Sequence, residues 1–359
     1  MFSAIRSGTC SVLSALIAFL GSAGLWKPQM ETLQTIQKVT DGFYTMDYCY
    51  DYDFEKMLEY GNSTTVGLFA YGLGNVFLKP VNFGCTTFNA QTPGGDALLA
   101  RNFDYMDSPM MLVWTHPKNG YKSVSMVSLY FFLYNNDWNL PEDEASSLLT
   151  LLAPYAPLDG MNEKGLSIGV LELEKDPLFQ ISCRKNLTTT TMIRACLDTA
   201  ATVDEAIAIF ESHDLRDLLL AHCTYHYQIA DATGKSVVIE YVDGKMNVIE
   251  PEKRDAGIDW ITAANYYLTE GVDDPMGMGW ERTDIVKENL GPANGIITEK
   301  KAMNILQKCS MKDADLHGYI CSTLWSSVYN MDDLTFDLCV NTGYDRVYSF
   351  SLDEPQAVH

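Results

Sequence analysis

Positive charge is the scarcest feature of this sequence: 25 Lys and Arg stand against 47 Asp and Glu, a formal net charge of −22 over 359 residues. No basic cluster offsets it, so phosphate backbones and anionic membrane surfaces repel the chain and nucleic-acid binding is disfavoured. Cysteine is sparse as well. Nine cysteines, an odd number with no CxxC among them, are too few for a disulfide scaffold. Cys10, Cys49, Cys183, Cys196, Cys223, Cys309, Cys321 and Cys339 sit mostly among apolar neighbours and read as small buried hydrophobes. There is no internal repeat, no low-complexity segment and, beyond residue 26, no apolar run long enough to cross a bilayer. With 47% apolar and 20% charged residues the chain is globular, enough for one large domain or two ordinary ones.

The amino terminus is the exception. Ser7 to Trp26 carries no charge between Arg6 and Lys27, its apolar heart is Val12 to Leu20, and Gly21-Ser22-Ala23 offers small residues where a signal peptidase would cut. Residues 1–26 are therefore expected to be a signal peptide or a membrane anchor, with an extracytoplasmic location favoured over a cytoplasmic one. A buried N-terminal helix is the alternative. Residues 27–84 read as a lead-in with helix, a turn at Gly61-Asn62-Ser63 and an extended aromatic patch over Tyr44–Tyr52.

From Cys85 onward the pattern changes. Strand-like runs at Cys85–Ala90, Ala97–Phe103, Met110–Thr115 and Ser123–Leu129 follow at hairpin spacing, with turn residues at 93–96 and 117–120. Helices are expected at Thr188–Thr199 and Asp204–Ser212, the second opened by a capping box over Thr202 to Glu205, and again at Glu281–Asn289 and Glu299–Cys309. Further strands are expected at Tyr225–Ala230, Ser236–Tyr241, Trp260–Ala264, Leu324–Tyr329, Thr335–Val340 and Arg346–Leu352. Runs of strands parted by pairs of helices predict α+β layers, not a parallel βαβ sheet.

The chemistry gathers at Cys85. If Gly94-Gly95 form a two-residue hairpin turn, Asp104 lies directly across from Cys85 on the returning strand. Arg101 then has the wrong parity for that face and needs a bulge or its own reach to join them. A nearby cation would draw the thiol pKa toward neutrality. A base is still missing. None of the six histidines, at 116, 213, 222, 226, 317 and 359, sits in a Cys-His motif. His222 and His226 have i, i+4 metal-ligand spacing but precede an alternating strand, so a structural role is favoured. One base needs no histidine: the α-amino group of Cys85 itself, whose ordinary pKa of about 7.7–8.0 suits proton transfer near neutrality. It requires the Gly84–Cys85 bond to be cut, and Gly84 supplies backbone freedom for attack by the thiol on its carbonyl. Residues 27–84 would then be a propeptide. Tyr105, Met106, Met110, Met111 and Trp114 are candidates for an apolar acyl pocket, although such a stretch is more often plain core.

Cys85, Arg101-Asn-Phe-Asp104, Asp159-Gly-Met-Asn-Glu-Lys-Gly165-Leu, Trp325-Ser-Ser-Val-Tyr329 and Tyr344-Asp-Arg-Val-Tyr348 together resemble the linear amide C–N hydrolases of the N-terminal-nucleophile superfamily. These are the choloylglycine hydrolases, penicillin V acylases and, more distantly, acid ceramidases; the resemblance runs from about Cys85 to Leu352. It implies a four-layer αββα sandwich of two antiparallel sheets over 85–359, with Cys85 as nucleophile and Arg101 and Asp104 orienting its thiol and amine. It also implies that Asn265 donates to an oxyanion and that Arg282 is a further active-site arginine. Glu172, ten residues after Asn162, stands where bile-salt hydrolases tend to carry asparagine and the ceramidase-like branch glutamate; its backbone N–H is the second implied oxyanion donor. Two departures are Phe103, where relatives often have leucine, and a lead-in longer than that of bile-salt hydrolases, which moves the expected substrate away from bile salts. The expected partner is a small-molecule N-acyl amide, with no cofactor or metal. An acyltransferase on the same scaffold and a non-catalytic binding protein with an uncleaved precursor are the alternatives. A thiol redox protein would need a resolving cysteine near Cys85, and none is evident.

Overall fold

The computed structural model describes residues 26–61, 84–132, 134–136, 140–173, 178–216, 223–316 and 318–356. All but Trp26 of the expected signal or anchor, residues 1–26, lies outside these, as do Asn62, Ser63, His222, His317 and His359. In chain order the elements are α1 (Trp26–Leu33), β1 (Gln37–Thr40), β2 (Phe43–Tyr48), α2 (Phe54–Tyr60), β3 (Gly84–Gln91), β4 (Ala97–Met106), β5 (Met110–Thr115), β6 (Ser123–Ser128), α3 (Glu144–Ser147), β7 (Asp159–Asn162) and β8 (Ser167–Leu173). Then come β9 (Lys185–Leu187), α4 (Thr189–Thr199), α5 (Val203–Ser212), β10 (His213–Leu215), β11 (Thr224–Ala230), β12 (Ser236–Val242), β13 (Lys245–Ile249), β14 (Thr262–Ala263), α6 (Trp280–Leu290) and α7 (Glu299–Cys309). The chain closes with β15 (Ala314–Leu316), β16 (Tyr319–Asn330), β17 (Thr335–Val340) and β18 (Tyr348–Ser351).

Two sheets carry the fold. One has nine strands in the order β1-β2-β5-β6-β7-β8-β11-β12-β13; the other has seven, β14-β3-β4-β16-β17-β18 with β15 on the flank of β16. All pairings are antiparallel except β2 with β5 and the short β9–β10 pair. The sheets face each other through β3, β4, β8 and β11, while α4 and α5 cover the outside of the nine-stranded sheet and α6 and α7 the outside of the seven-stranded one. This is a four-layer αββα sandwich, as expected. Met110, Met111 and Trp114 belong to its core: all three are fully buried in β5, and the Trp114 indole donates to the Ser351 carbonyl at 3.1 Å.

Local chemistry explains the helix starts. Thr188 and Thr191 form a reciprocal capping box at the head of α4. At α5 only half of the expected box is present: Thr202 Oγ accepts from the Glu205 amide at 3.3 Å, but the Glu205 carboxylate turns back to the Ala201 amide at 2.6 Å.

The β3–β4 hairpin departs from the expected register by one residue. Gln91 pairs with Ala97, so the loop is the five residues 92–96, closed by a Thr92 Oγ to Asp96 Oδ2 hydrogen bond of 2.6 Å. Cys85 therefore pairs with Phe103, and Asp104 pairs with Gly84. A slip of one residue moves every side chain to the other face. Arg101, Phe103 and Cys85 share the face between the sheets, and Asp104 points to the helical side, where it meets Arg282. The expected Asp104–Cys85 side-chain contact is thus replaced by an Arg101–Cys85 contact. Parity, and not a bulge, brings Arg101 in.

The described part of the lead-in is woven into the same body. β2 runs along the whole of β5, and Tyr52 donates to both oxygens of Asp198 at 2.8 and 2.7 Å. Asp198 also pairs with the buried Arg194 at 3.0 Å. Burial, outweighing Arg194 and Tyr52, pushes the Asp198 carboxyl up to about 6. Folding therefore takes up a proton here, and this group's contribution to stability is present below about pH 4 and lost as pH rises through about 6. Accordingly, urea midpoints of wild type and Asp198→Asn should diverge in favour of the variant as pH is raised from 4 to 7. A pH-independent difference would contradict the buried carboxylate.

Candidate active site

Cys85 is the second residue of β3, and different groups bind its two ends. Its backbone nitrogen donates to Asn265 Oδ1 at 2.7 Å, and its carbonyl accepts from Arg282 Nη1 at 2.8 Å. On the opposite face its Sγ lies 3.7 Å from Arg101 Nη2 and 3.8 Å from the Val170 carbonyl. Burial pushes the thiol up to about 11, because desolvation of a thiolate outweighs the attraction of Arg101 and Arg282, and Asp104 adds to the rise. Arg101 lowers the thiol pKa in the expected direction, but burial outweighs it. At neutral pH the sulfur is a protonated thiol that needs a base.

Arg101 is fully buried and held from the neighbouring sheet. Its Nη1 donates to the Leu158 carbonyl and pairs with Asp159 Oδ2 at 3.1 Å, while its guanidinium lies 5.3 Å over the Phe103 ring. Asp159 is fixed in turn by the Trp325 indole at 2.8 Å and the Tyr329 hydroxyl at 2.5 Å. Phe103 stacks on Trp325 with ring centroids 4.1 Å apart. Phe103, the departure from the usual leucine, thus completes an aromatic wall behind Arg101. Asp159, Trp325 and Tyr329 were not singled out as site residues; all three lie in the ordered motifs around 159–166 and 325–329, which was the available signal.

Asp104 sits beside the Gly84–Cys85 peptide. Its Oδ2 pairs with Arg282 at 3.1 Å and its Oδ1 accepts from the Thr323 hydroxyl at 2.5 Å; burial holds its carboxyl above the ordinary range in spite of Arg282 and Thr323. This close approach explains Gly84. A Cβ there would fall 2.6 Å from Asp104 Oδ2 and 2.8 Å from Met311 Sδ, so no side chain fits. The need is for space, and not for an unusual backbone angle at this position.

Arg282, in the first turn of α6, reaches back across its own helix start. Gly279, with φ +91°, makes the turn, and a Cβ on it would stand 2.3 Å from Arg282 Nη2. That nitrogen donates to Asn265 Oδ1 at 2.9 Å. With both Cys85 and Arg282 donating to Oδ1, the orientation of the Asn265 amide is determined, and its Nδ2 donates to the Glu172 carbonyl at 2.9 Å. Glu172 thus enters the site through a carbonyl acceptor, where a backbone donor was expected. Asn265 serves here as the acceptor for Cys85 nitrogen, with the second N–H of its amide as the remaining donor. All six expected residues, Cys85, Arg101, Asp104, Glu172, Asn265 and Arg282, therefore converge, with Arg101 on the thiol side and Asp104, Asn265 and Arg282 on the backbone side. Among the described residues no group of three or more His, Cys, Asp and Glu side chains is arranged to hold a metal ion. His226 is a buried structural residue, as expected, but lies within β11 and not ahead of it.

Cys85 thus stands buried at a strand head of an αββα sandwich, held separately at nitrogen and sulfur. Residues 85–259 match the model of the linear amide C-N hydrolases, choloylglycine hydrolase family, and over that stretch the chain is similar to this family. A penicillin V acylase from Pectobacterium atrosepticum is 27% identical over 185 residues, 46% of each chain, so the chain spans about half the length of the curated relative it matches. Among solved structures, a mutant of conjugated bile acid hydrolase from Clostridium perfringens superposes with a TM-score of 0.53 at 16% identity, over 77% of this chain and 96% of that one. A second variant of the same hydrolase gives 0.52 at 15% identity with the same coverage. These two likenesses establish the fold. Asn265 and Arg282 lie beyond the matched segment and are known here from their geometry.

Because Arg101 is the cation in contact with the sulfur, Arg101→Gln should raise the thiol pKa by about one and slow iodoacetamide alkylation of Cys85 at pH 8 about tenfold. An unchanged or faster rate would remove Arg101 from this role.

Proposed function

We propose that this chain is an amidohydrolase that cleaves the linear amide bond of a small N-acyl substrate, using Cys85 as an N-terminal nucleophile exposed by cleavage of the Gly84–Cys85 bond. The observation that carries the reading is the separate grip on the two ends of Cys85, nitrogen on Asn265 Oδ1 and sulfur near Arg101. The match of residues 85–259 to the linear amide hydrolases supports the reaction class. In this reading residues 27–84 are a propeptide, and the β2–β5 pairing keeps its described part bound after the cut.

The steps balance without a cofactor. The free α-amine of Cys85 takes the thiol proton, and the sulfur attacks the substrate carbonyl carbon to form a C–S bond. The second N–H of Asn265 Nδ2 donates to the resulting oxyanion, a contribution worth about 3–4 kcal/mol for a preorganised donor. Collapse breaks the C–N bond as the α-ammonium returns its proton to the leaving amine. Water, deprotonated by the same α-amine, then adds to the thioester carbonyl, and collapse breaks the C–S bond and releases the acid as the α-ammonium returns its proton to sulfur. Asp104, against Gly84 and paired with Arg282, orients the amine; Arg101 stabilises developing charge on sulfur. An uncharged run over 7–26 is consistent with work outside the cytoplasm.

N-terminal sequencing of purified protein, followed by a panel of N-acyl amides beginning with penicillin V, glycine-conjugated bile salts and N-acyl ethanolamines, tests the reading. A mature fragment starting at Cys85 and turnover of at least one amide are expected, with both lost in Cys85→Ala. Activity that survives Cys85→Ala refutes the assignment.

A further inference from the structure

His226 is fully buried, and each ring nitrogen faces an acceptor: Nδ1 lies 3.0 Å from Glu240 Oε1 and Nε2 lies 2.7 Å from the carbonyl oxygen of Ala264. A carbonyl only accepts, so Nε2 carries a proton. The protonation of Nδ1 is settled by what else binds Glu240. Oε1 also accepts from the Leu268 amide at 2.8 Å, and Oε2 accepts from the Thr269 amide at 3.0 Å and the Thr269 hydroxyl at 2.8 Å. These three donors, two amides and a hydroxyl from outside the histidine, stabilise the ionised form of Glu240. Burial alone would raise the Glu240 carboxyl, but His226, Leu268 and Thr269 outweigh it and hold it below the ordinary range. An ionised carboxylate on one side and a carbonyl on the other require a hydrogen on both ring nitrogens.

The bonds of this pair bracket one residue. Ala264 directly precedes Asn265, and Leu268 and Thr269 follow it by three and four positions, so the His226–Glu240 pair holds the segment on both sides of the Asn265 side chain that accepts from Cys85 nitrogen. β11 and β12 supply the two halves, His226 and Glu240 lying one residue beyond the Tyr227–Ile239 pair of these strands. We propose that His226 is held as an imidazolium between Glu240 and the Ala264 carbonyl, and that this buried ion pair is the positioning device that sets Asn265 against Cys85. Its functional consequence rests on the amidohydrolase reading above; the protonation state does not.

The other charged or titratable groups around the segment are Tyr267 and Asp274, with the Asp274 carboxylate accepting from the Tyr267 amide at 2.9 Å, Asp243 at the β12–β13 turn, and Arg282 on Asn265 itself. Glu240 takes its other hydrogen bonds from the segment itself, so the imidazolium is what links that segment to β11.

Two measurements test this. Full-length Cys85→Ala protein labelled with 15N-histidine keeps His226 and needs no turnover; its ring signal, identified by its loss when His226→Gln is added, should show two protonated nitrogens at pH 7. One unprotonated ring nitrogen would overturn the proposal even if amide hydrolysis is established. In the active protein, His226→Gln should lower kcat at least tenfold with KM within about twofold. Equal kcat in wild type and His226→Gln would overturn the positioning role. Absence of amide turnover in wild type, with both ring nitrogens protonated, would instead sink the amidohydrolase reading and leave the imidazolium standing.

Discussion

The register of β3 against β4 is the constraint on which the site depends. Pairing Cys85 with Phe103 puts the sulfur between the sheets beside Arg101, and the same pairing sends Asp104 to the helical side, against Gly84 and Arg282. One residue of slip would exchange those environments. The five-residue loop 92–96, pinned by Thr92 and Asp96, sets that register, and Gly84 allows Asp104 to lie against the peptide it faces. A nucleophile whose base is its own amine needs this division, because nitrogen and sulfur leave one Cα in different directions and need different partners.

Buried charge is arranged in matched pairs around this frame: Arg101 with Asp159, Arg282 with Asp104, Arg194 with Asp198, and His226 with Glu240. Apolar replacements would cost less to bury, so such pairs are weak evidence for stability and better evidence for specified geometry. Three of the four pairs bear on the Cys85 environment: Asp159 stations Arg101, Asp104 and Arg282 flank the Cys85 backbone, and His226–Glu240 holds the Asn265 segment. The fourth ties the lead-in to the catalytic body through Tyr52. One folded unit thus carries both sides of the Gly84–Cys85 bond.

Most of the fold was legible because its strands and helices obey simple periodicities. Met110–Thr115, Glu299–Cys309 and Thr335–Val340 match the expected bounds residue for residue, while β16 extends well ahead of Leu324 and β14 is only two residues long. The identity of the site residues was legible through ordered motifs; their facing was not. Gly94-Gly95 reads as a tight turn in sequence, and only the competing Thr92–Asp96 hydrogen bonds reveal the longer loop. Burial could not be read either, which is why the Cys85 thiol rises where a neighbouring cation suggested a fall. Nor could the role of His226 be read beyond a structural one, since Glu240 and Ala264 reach it only through tertiary pairing.

The central claim is that the sulfur and the amine of one terminal residue act together. Acid quenching during turnover of an amide substrate, followed by peptide mass analysis, tests it most directly. The account predicts an acyl group on a peptide that begins at Cys85 with a free α-amine, released by neutral hydroxylamine as a thioester would be. An acyl adduct on another residue, or on a peptide in which Gly84 is still joined to Cys85, would contradict it.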